Sequence, residues 1–376
     1  MRTMVCDSLK CEVPIFAFSH CRDVVVEVTK AGGFGVLGAV SFSPEQLEKE
    51  LRWIDAHVGG KGYGVDVLIP GKYDRDAEQA TGPLMNLIPE AHRKFVADML
   101  DQAGIPPLPP DEAARIQEHL AAKERNSTPS GALKLIEVAL RHPQVKLVVS
   151  ALGPPPADAV EEFHRRGIRV GALCGKPSHV PRHRDAGVDI LIAQGTEAGG
   201  HTGTISTMVL VPQIVEAFAG SGAVLAAGGI SRGSQIAAAL ALGAQGVWCG
   251  TIWLGTKESE LSPYEKAALF RAQAEDAVQR RCMTGKPVRM LRSKFSEAWE
   301  RPGAPKHLMP PLQNFVYHEA RARIDRAQRG DYYSSPAGQV VGTMTAETSV
   351  REVMYNFLAE YADTMERLSS LHDQSQ

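Results

Sequence analysis

The chain has 376 residues, enough to bury a large core, and its composition is that of an ordinary soluble globular protein. Its 41 basic and 43 acidic residues give a net charge of −2, so there is no electrostatic reason to expect nucleic acid or an anionic membrane as a partner. Its apolar runs are far shorter than the roughly 20 residues of a membrane-spanning helix, and "MRTMVCDSLK" lacks the apolar core of a secretory signal, so we expect a cytoplasmic protein that acts on a small molecule.

Eight short apolar runs alternate with amphipathic helical stretches. The runs are "VPIFAF" (13–18), "FGVLGAV" (34–40), "GYGVDVLI" (62–69), "VKLVVSAL" (145–152), "IRVGALC" (168–174), "VDILIAQ" (188–194), "AVLAAGG" (223–229) and "GVWCGTIWL" (246–254). Most are apolar nearly throughout, which is typical of strands covered on both faces in a parallel sheet. Eight such units predict an α/β fold, a (β/α)8 TIM barrel, with a doubly wound open sheet as the alternative.

Two regions exceed what a bare barrel needs. Residues 70–144, after the third strand, contain two helical patterns separated by the proline-rich "GIPPLPPDE", and they predict a helical insertion over one end of the barrel. Residues 255–376 contain helical patterns joined by a stretch rich in proline and glycine. We therefore expect a barrel over 1–254 and a helical C-terminal extension packing on it over 255–376, which serves packing or oligomer contact, or forms a wall or lid of the site.

Glycines follow the last two predicted strands, where a barrel commonly binds phosphate. "AAGGISRG" contains Gly228 and Gly229, and "WCGT" contains Gly250 and Thr251. Glycine lets backbone N–H groups approach phosphate oxygens, and a following helix N-terminus favours negative charge. A phosphate-bearing cofactor is implied. The fingerprints G-x-G-x-x-G and G-x-x-x-x-G-K-[ST] are absent, which disfavours a Rossmann site and a P-loop.

The sixth strand ends in "AQGTEAGGHTG". The Gln194 amide can exchange hydrogen bonds with a flat heteroaromatic ring, and Gly199 and Gly200 would let that ring lie against the backbone. His201 follows at the predicted mouth of the barrel, where an imidazole suits proton transfer near neutral pH. Glu197 either orients His201 or helps to close the turn. Neither a C-x-x-C pair nor H-E-x-x-H is present, so we expect no metal.

These motifs resemble the nitronate monooxygenase (2-nitropropane dioxygenase) family. The resemblance rests on "AGGFGVLGA", "DILIAQGTEAGGHTG", "VLAAGGISRGSQIAAALALGAQGVWCGTIWL" and "TGKPVRMLR". It implies an FMN-binding barrel with His201 as the catalytic residue. The remaining positions that it assigns to FMN are Gln194, Gly199 and Gly200 along the ring, and Gly228, Gly229, Gly250 and Thr251 at the phosphate.

The sequence departs from the family pattern in three places. The first strand reads "VPIFAFSH" instead of ending in a Q-x-P-M type motif, so its flavin contacts would come from the backbone of Ala17 and Phe18. Asp66 replaces the usual asparagine, and its charge either repels a flavin phosphate or bonds to a ring N–H. The fourth strand ends in "SALG", without the family's histidine or phenylalanine.

Three functions are compatible with these motifs. The first, implied by the resemblance, is an FMN-dependent oxidoreductase that uses molecular oxygen to convert nitronates or nitroalkanes to a carbonyl compound and nitrite. The second is an NAD(P)H-dependent FMN reductase of a quinone or an enoyl thioester, and the third is a flavin-free barrel that isomerises a sugar phosphate or nucleotide. We expect small-molecule partners in each case, and the sequence is compatible with a homo-oligomer.

Overall fold

A closed barrel of eight parallel strands forms the centre of the molecule in the computed structural model, which describes residues 1–68, 87–125 and 129–373. The strands are β1 (Ile15–Ser19), β2 (Phe34–Gly38), β3 (Tyr63–Val67), β4 (Val145–Ser150), β5 (Arg169–Cys174), β6 (Ile190–Gln194), β7 (Ala223–Ala227) and β8 (Gly246–Cys249). Each strand pairs with the next along the chain, and β8 returns to β1 with Ala17 beside Cys249. The predicted TIM barrel is confirmed.

Fourteen α-helices lie in the described ranges. They are α1 (Met4–Leu9), α2 (Arg22–Lys30), α3 (Pro44–His57), α4 (Glu90–Gln102), α5 (Pro110–Arg125), α6 (Pro129–Ala139), α7 (Ala157–Arg165), α8 (Val180–Asp185), α9 (Thr207–Ala217), α10 (Gly233–Ala241), α11 (Pro263–Arg271), α12 (Lys294–Ala298), α13 (Leu312–Arg326) and α14 (Val350–Asp373). Helices α2, α3 and α6 to α10 connect successive strands, as the alternating pattern of the sequence predicts.

The strands bury side chains on both faces. Alternate residues such as Val65 and Leu191 point outward into the large core that the surrounding helices cover. The residues between them, among them Phe16 and Ile192, fill the barrel interior. Helix α1 contributes Leu9 to this inner cluster and closes the barrel at the amino ends of the strands. Because this end is closed by apolar side chains, the opposite end is left for a binding site.

The insertion and the C-terminal segment share a second hydrophobic core. Leu100 and Ile105 of the insertion pack there with Phe295 and Phe315 of the C-terminal segment. The buried Arg323 guanidinium joins the same two segments, since it donates to the carbonyl of Ile105. The predicted helical insertion and helical extension are confirmed, except that residues 69–86, 126–128 and 374–376 lie outside the described residues.

A two-stranded antiparallel hairpin interrupts the C-terminal segment. Strand β9 (Ala277–Arg280) pairs with β10 (Val288–Leu291), and the sequence pattern does not predict either strand. Further along, α14 returns to the barrel and lies against α10 so closely that a Cβ at Gly233 would be 2.3 Å from the Phe357 carbonyl oxygen. The C-terminal segment therefore contacts both the rim and the side of the barrel. Among the helices described, none has a stretch apolar and long enough to cross a membrane.

Candidate functional site at the carboxyl ends of the strands

Strand β6 runs directly into a tight turn at the barrel mouth. Gln194 ends the strand half-buried, at a position whose alternate neighbours face the barrel interior, and nothing in the described part of the chain hydrogen-bonds its side-chain amide. After Gly195, the Glu197 carboxylate accepts hydrogen bonds from the Thr207 N–H at 3.0 Å and from the Thr207 hydroxyl at 2.8 Å. Glu197 therefore closes the turn onto α9, which decides between its two predicted roles.

His201 lies at the end of this turn, where its ring is accessible to solvent. Its Nδ1 is 3.0 Å from the carbonyl oxygen of Pro287. A carbonyl oxygen only accepts, so Nδ1 carries the proton and Nε2 keeps its lone pair. Desolvation by the surrounding chain lowers the pKa of His201 below 6.5, and the nearby Lys286 charge lowers it further, while the Pro287 hydrogen bond opposes both. The lowered pKa favours the neutral imidazole, in which Nε2 carries a lone pair.

The two glycines before His201 are favoured for different reasons, Gly199 by a close contact within the chain and Gly200 by its backbone conformation. A Cβ at Gly199 would be 2.8 Å from the backbone of Ala337 and Gly338, so only glycine allows the C-terminal segment to approach this closely. Gly200 has a φ of +81° with open space where a Cβ would be. Both positions are at the barrel mouth as predicted, and the Cβ side of Gly199 is occupied by the protein's own backbone.

The hairpin holds this turn from the outside. Gly200 and Arg289 exchange two backbone hydrogen bonds, with N–H to oxygen distances of 3.0 and 2.8 Å. The Arg289 side chain donates through Nε to the Thr196 carbonyl at 2.6 Å, and Gln279 donates to the Thr202 hydroxyl at 2.8 Å. No role for Arg289 or Gln279 is predicted from the sequence. The signal that was available is "TGKPVRMLR", which contains Arg289 and is part of the family resemblance.

The loops after β7 and β8 present unused backbone donors. Gly228 and Gly229 have consecutive positive φ angles of +100° and +72°, which side chains rarely adopt. In the described ranges, the N–H groups of these two glycines and of Gly250 and Thr251 donate to no protein acceptor. Neighbouring N–H groups without acceptors form a favourable environment for an anion. The four predicted phosphate residues therefore fit a phosphate.

The amino end of α10, which follows the β7 loop, is already occupied by side chains. The Gln235 amide oxygen accepts from the N–H groups of Ser231 and Arg232 at 2.8 and 3.1 Å, and the Glu360 carboxylate of α14 accepts from the Gly233 N–H at 2.9 Å. These three donors are therefore unavailable to a phosphate. A phosphate would depend on the glycine N–H groups of the two loops and on the remaining helix dipole.

The β1 and β3 positions form the inner wall of the mouth. Phe18 stacks on Trp248 with 6.0 Å between ring centroids, whereas the Ala17 side chain points outward into the main core and leaves only its backbone on the inner side. Asp66 is 7% exposed, at a position on β3 whose neighbours Val65 and Val67 point outward. Burial raises the pKa of Asp66 well above 3.8, which favours the neutral carboxyl group and weakens the predicted repulsion of a phosphate.

The predicted residues therefore converge on one end of the barrel. The β6 turn and the β7 loop touch, because a Cβ at Gly228 would be 3.1 Å from the Ala198 nitrogen. The β8 loop joins them through the C-terminal segment, since the Gly338 N–H donates to the Thr251 hydroxyl at 2.8 Å. No group of three or more histidine, cysteine or acidic side chains in the described ranges is placed to hold a metal ion.

A closed (β/α)8 barrel whose β7 and β8 loops have backbone N–H groups without protein acceptors, and whose β6 turn carries a histidine, has the architecture typical of barrel enzymes with a site at the carboxyl ends of the strands. The nitronate monooxygenase family model matches residues 20–360, and the chain belongs to that family.

Known proteins resemble this chain over nearly its whole length. "Putative monooxygenase Rv1533" of Mycobacterium tuberculosis is 48% identical, with 99% of each chain covered. "Probable nitronate monooxygenase" of Staphylococcus saprophyticus is 27% identical, covering 94% of this chain and 97% of that protein. The solved structure of nitroalkane oxidase from Streptomyces ansochromogenes has a TM-score of 0.78 at 26% identity, covering 97% and 99%. The chain is therefore an oxidoreductase enzyme.

Proposed function

We propose that this protein is an FMN-dependent oxidoreductase of the nitronate monooxygenase type, which uses molecular oxygen to convert a nitronate or nitroalkane to a carbonyl compound and nitrite. Family membership supports the class of reaction. The observation that carries the proposal is the hydrogen bond from His201 Nδ1 to the Pro287 carbonyl, because it leaves Nε2 as a free base at the barrel mouth.

The proposed cofactor site uses groups that have no partner within the chain. The N–H groups of Gly228, Gly229, Gly250 and Thr251 would hold the FMN phosphate, because they lack protein acceptors. FMN, when bound, supplies the electron acceptor and the reactivity toward oxygen that amino-acid side chains lack.

The ring would lie at the inner mouth of the barrel. There the side chains of Gln194 and Asp66 would exchange hydrogen bonds with its polar edge, and Gly199, Gly200 and the backbone of Ala17 and Phe18 would border it.

The proposed role of His201 is to move a proton at the carbon beside the nitro group. Nε2 of the neutral imidazole accepts the proton when a nitroalkane is converted to its nitronate, and the imidazolium returns that proton to solvent. With a nitronate as substrate no proton has to be removed, and the same ring positions the anion by hydrogen bonding. The lowered pKa of His201 keeps the ring unprotonated near neutrality and suits the first role.

The test compares wild type with His201→Ala and His57→Ala. His57 ends α3 at the opposite end of the barrel, where it bonds to its own helix, so it controls for loss of a histidine. We expect the purified wild type to be yellow, to release FMN on denaturation, and to form nitrite from propionate 3-nitronate in air. His201→Ala should retain FMN and lose about 10²- to 10⁴-fold of the turnover of a nitroalkane, whereas His57→Ala should keep it.

Three outcomes would contradict the proposal. A colourless protein that releases no flavin would exclude the cofactor. Rapid bleaching of the anaerobic protein by NADH or NADPH alone, without nitrite formation from any nitronate, would indicate the alternative FMN reductase. Unchanged nitroalkane turnover in His201→Ala would exclude the proposed proton transfer.

A further inference from the structure

The β9–β10 hairpin lies across the turn that carries His201. Gly200 and Arg289 form an antiparallel bridge through two backbone hydrogen bonds, so the residues on either side of it are held in a defined register. One step from Gly200 is His201, and two residues before Arg289 is Pro287. This register places the Pro287 carbonyl oxygen 3.0 Å from His201 Nδ1.

The Arg289 side chain fastens the same bridge. It is 9% exposed, and its donors bind backbone and hydroxyl oxygens instead of a carboxylate. Nε donates to the Thr196 carbonyl at 2.6 Å, Nη2 is 3.3 Å from the Thr196 hydroxyl, and Nη1 donates to the Ala277 carbonyl. The Arg289 guanidinium therefore connects the beginning of the β6 turn to β9, while the Arg289 backbone forms the bridge to Gly200.

Burying the Arg289 cation carries a desolvation cost, which its hydrogen bonds to the turn and to β9 have to offset. Burial lowers the pKa of Arg289, and the Glu197 charge opposes that effect without a direct ion pair in the structure. An apolar residue at this position would avoid the desolvation penalty but could not bind the Thr196 and Ala277 carbonyls. The buried Arg289 side chain therefore holds the turn in place at some cost in the free energy of folding.

We propose that Arg289 is a positioning residue for His201: by holding the hairpin in register with the β6 turn, it presents the Pro287 carbonyl to Nδ1 and thereby selects the tautomer with a free Nε2. The catalytic consequence rests on the proposed function, whereas the tautomer of His201 can be measured without substrate. The charged groups around the imidazole are Lys286 on the hairpin, with Glu197 and Arg289 further back along the turn and β10.

The test is ¹⁵N NMR of the histidine rings in wild type, Arg289→Gln and Arg289→Lys, with the His201 signals assigned by their absence in His201→Gln. The control is Arg292→Gln, because Arg292 lies at the end of the same hairpin and binds Asp276 and the Glu275 carbonyl. We expect a single Nδ1–H tautomer for His201 in wild type and control. In Arg289→Gln both tautomers should be populated, because the Pro287 carbonyl no longer selects Nδ1–H. The His201 pKa should rise toward 6.5, because water entering the loosened turn relieves desolvation, the largest effect on this pKa, and this outweighs the loss of the Pro287 hydrogen bond.

Kinetics provide the second measurement. Arg289→Gln should lower kcat/KM for a nitroalkane by about 10- to 100-fold and move the acidic limb of the pH profile to higher pH, with Arg289→Lys in between because it keeps the charge but not the forked geometry. The proposal is overturned if a folded Arg289→Gln variant has the His201 ring chemical shifts, the His201 pKa and the pH profile of the wild type.

Two further outcomes of these experiments also decide the role of Arg289. If Arg289→Gln does not fold, Arg289→Lys, which keeps the charge but not the forked contacts, should populate the second tautomer to a smaller extent; an unchanged His201 spectrum there would also overturn the proposal. If wild type forms no nitrite from any nitronate, the proposed function fails while the NMR result still decides the role of Arg289.

Discussion

Replacing Gly228 with alanine should destabilise the protein by an amount that the structure divides into two parts. The φ of +100° costs a side chain about 1–2 kcal/mol. The new Cβ would also lie 3.0 Å from the Thr207 hydroxyl and 3.1 Å from both the Ala198 nitrogen and the Gly195 oxygen, and crowding of this kind costs about 1–3 kcal/mol. We therefore expect a loss of about 2–5 kcal/mol in the free energy of unfolding.

Gly220→Ala is the matched control because it has the first cost without the second. Its φ is +77° and a Cβ there would meet nothing within 4 Å. Its expected cost is about 1–2 kcal/mol, and the entropy that alanine removes from the unfolded chain is common to both variants. Urea denaturation followed by circular dichroism measures the difference, and FMN titration should show weaker binding in Gly228→Ala alone. Equal destabilisation of the two variants would refute the assigned contacts.

Two further predictions concern charged groups near the site. Burial raises the pKa of Asp66, so the native state holds its proton more tightly than the unfolded chain, and the free energy of unfolding of the flavin-free protein falls as the pH rises above 3.8. Asp66→Asn should remove this loss and be more stable than wild type at neutral pH, and the difference in the free energy of unfolding should shrink toward pH 4. Urea titrations at several pH values measure this difference, and a difference that stays constant with pH would contradict the prediction. Lys286 lowers the pKa of His201, so Lys286→Gln should raise that pKa and move the acidic limb of kcat/KM to higher pH, and an unmoved or lowered limb would exclude the electrostatic effect.

The barrel could be predicted because each strand is a short apolar run buried on both faces, a pattern that few other structures require. The pattern does not fix the ends of the strands. It predicts the last strand over 246–254, but β8 ends at Cys249 because Gly250 turns the chain into a short 3₁₀ helix, Thr251–Gly255. Apolar residues continue through this turn, so composition does not mark where the strand stops.

The position of the loops proposed to bind phosphate follows from a local feature of the sequence. Gly228, Gly229, Gly250 and Thr251 follow their strands directly, and the barrel topology brings the ends of adjacent strands together. The sequence also indicated a helix dipole after β7, but it contained no sign that Glu360, 127 residues after Gly233, would cap that helix. An acidic residue on an amphipathic helix is usually solvated, and only the fold shows which one is not.

The hairpin was missed because its strands are four residues long and carry arginine and glutamine beside apolar residues. "AVQR" and "VRML" match neither a buried parallel strand nor a long amphipathic helix. The hydrogen bond from His201 to Pro287 spans 86 residues, and no periodicity encodes such a contact. The position of His201 after β6 could therefore be predicted from the sequence, whereas its tautomer and the cause of its lowered pKa could not.

The expected boundary between residues 254 and 255 stays a prediction, but the site depends on residues from both sides of it. A Cβ at Gly338 would lie 2.6 Å from the Glu197 carbonyl oxygen, and the Gln339 N–H donates to that same oxygen at 2.9 Å. The Gly338 N–H in turn donates to Thr251, so one short segment of the C-terminal extension connects the turn that carries His201 with the loop proposed to bind phosphate. Each of these contacts holds a loop at the barrel mouth, so the extension is a structural part of the site. Substitutions at residues 337–339 should therefore change both the affinity for FMN and the position of His201.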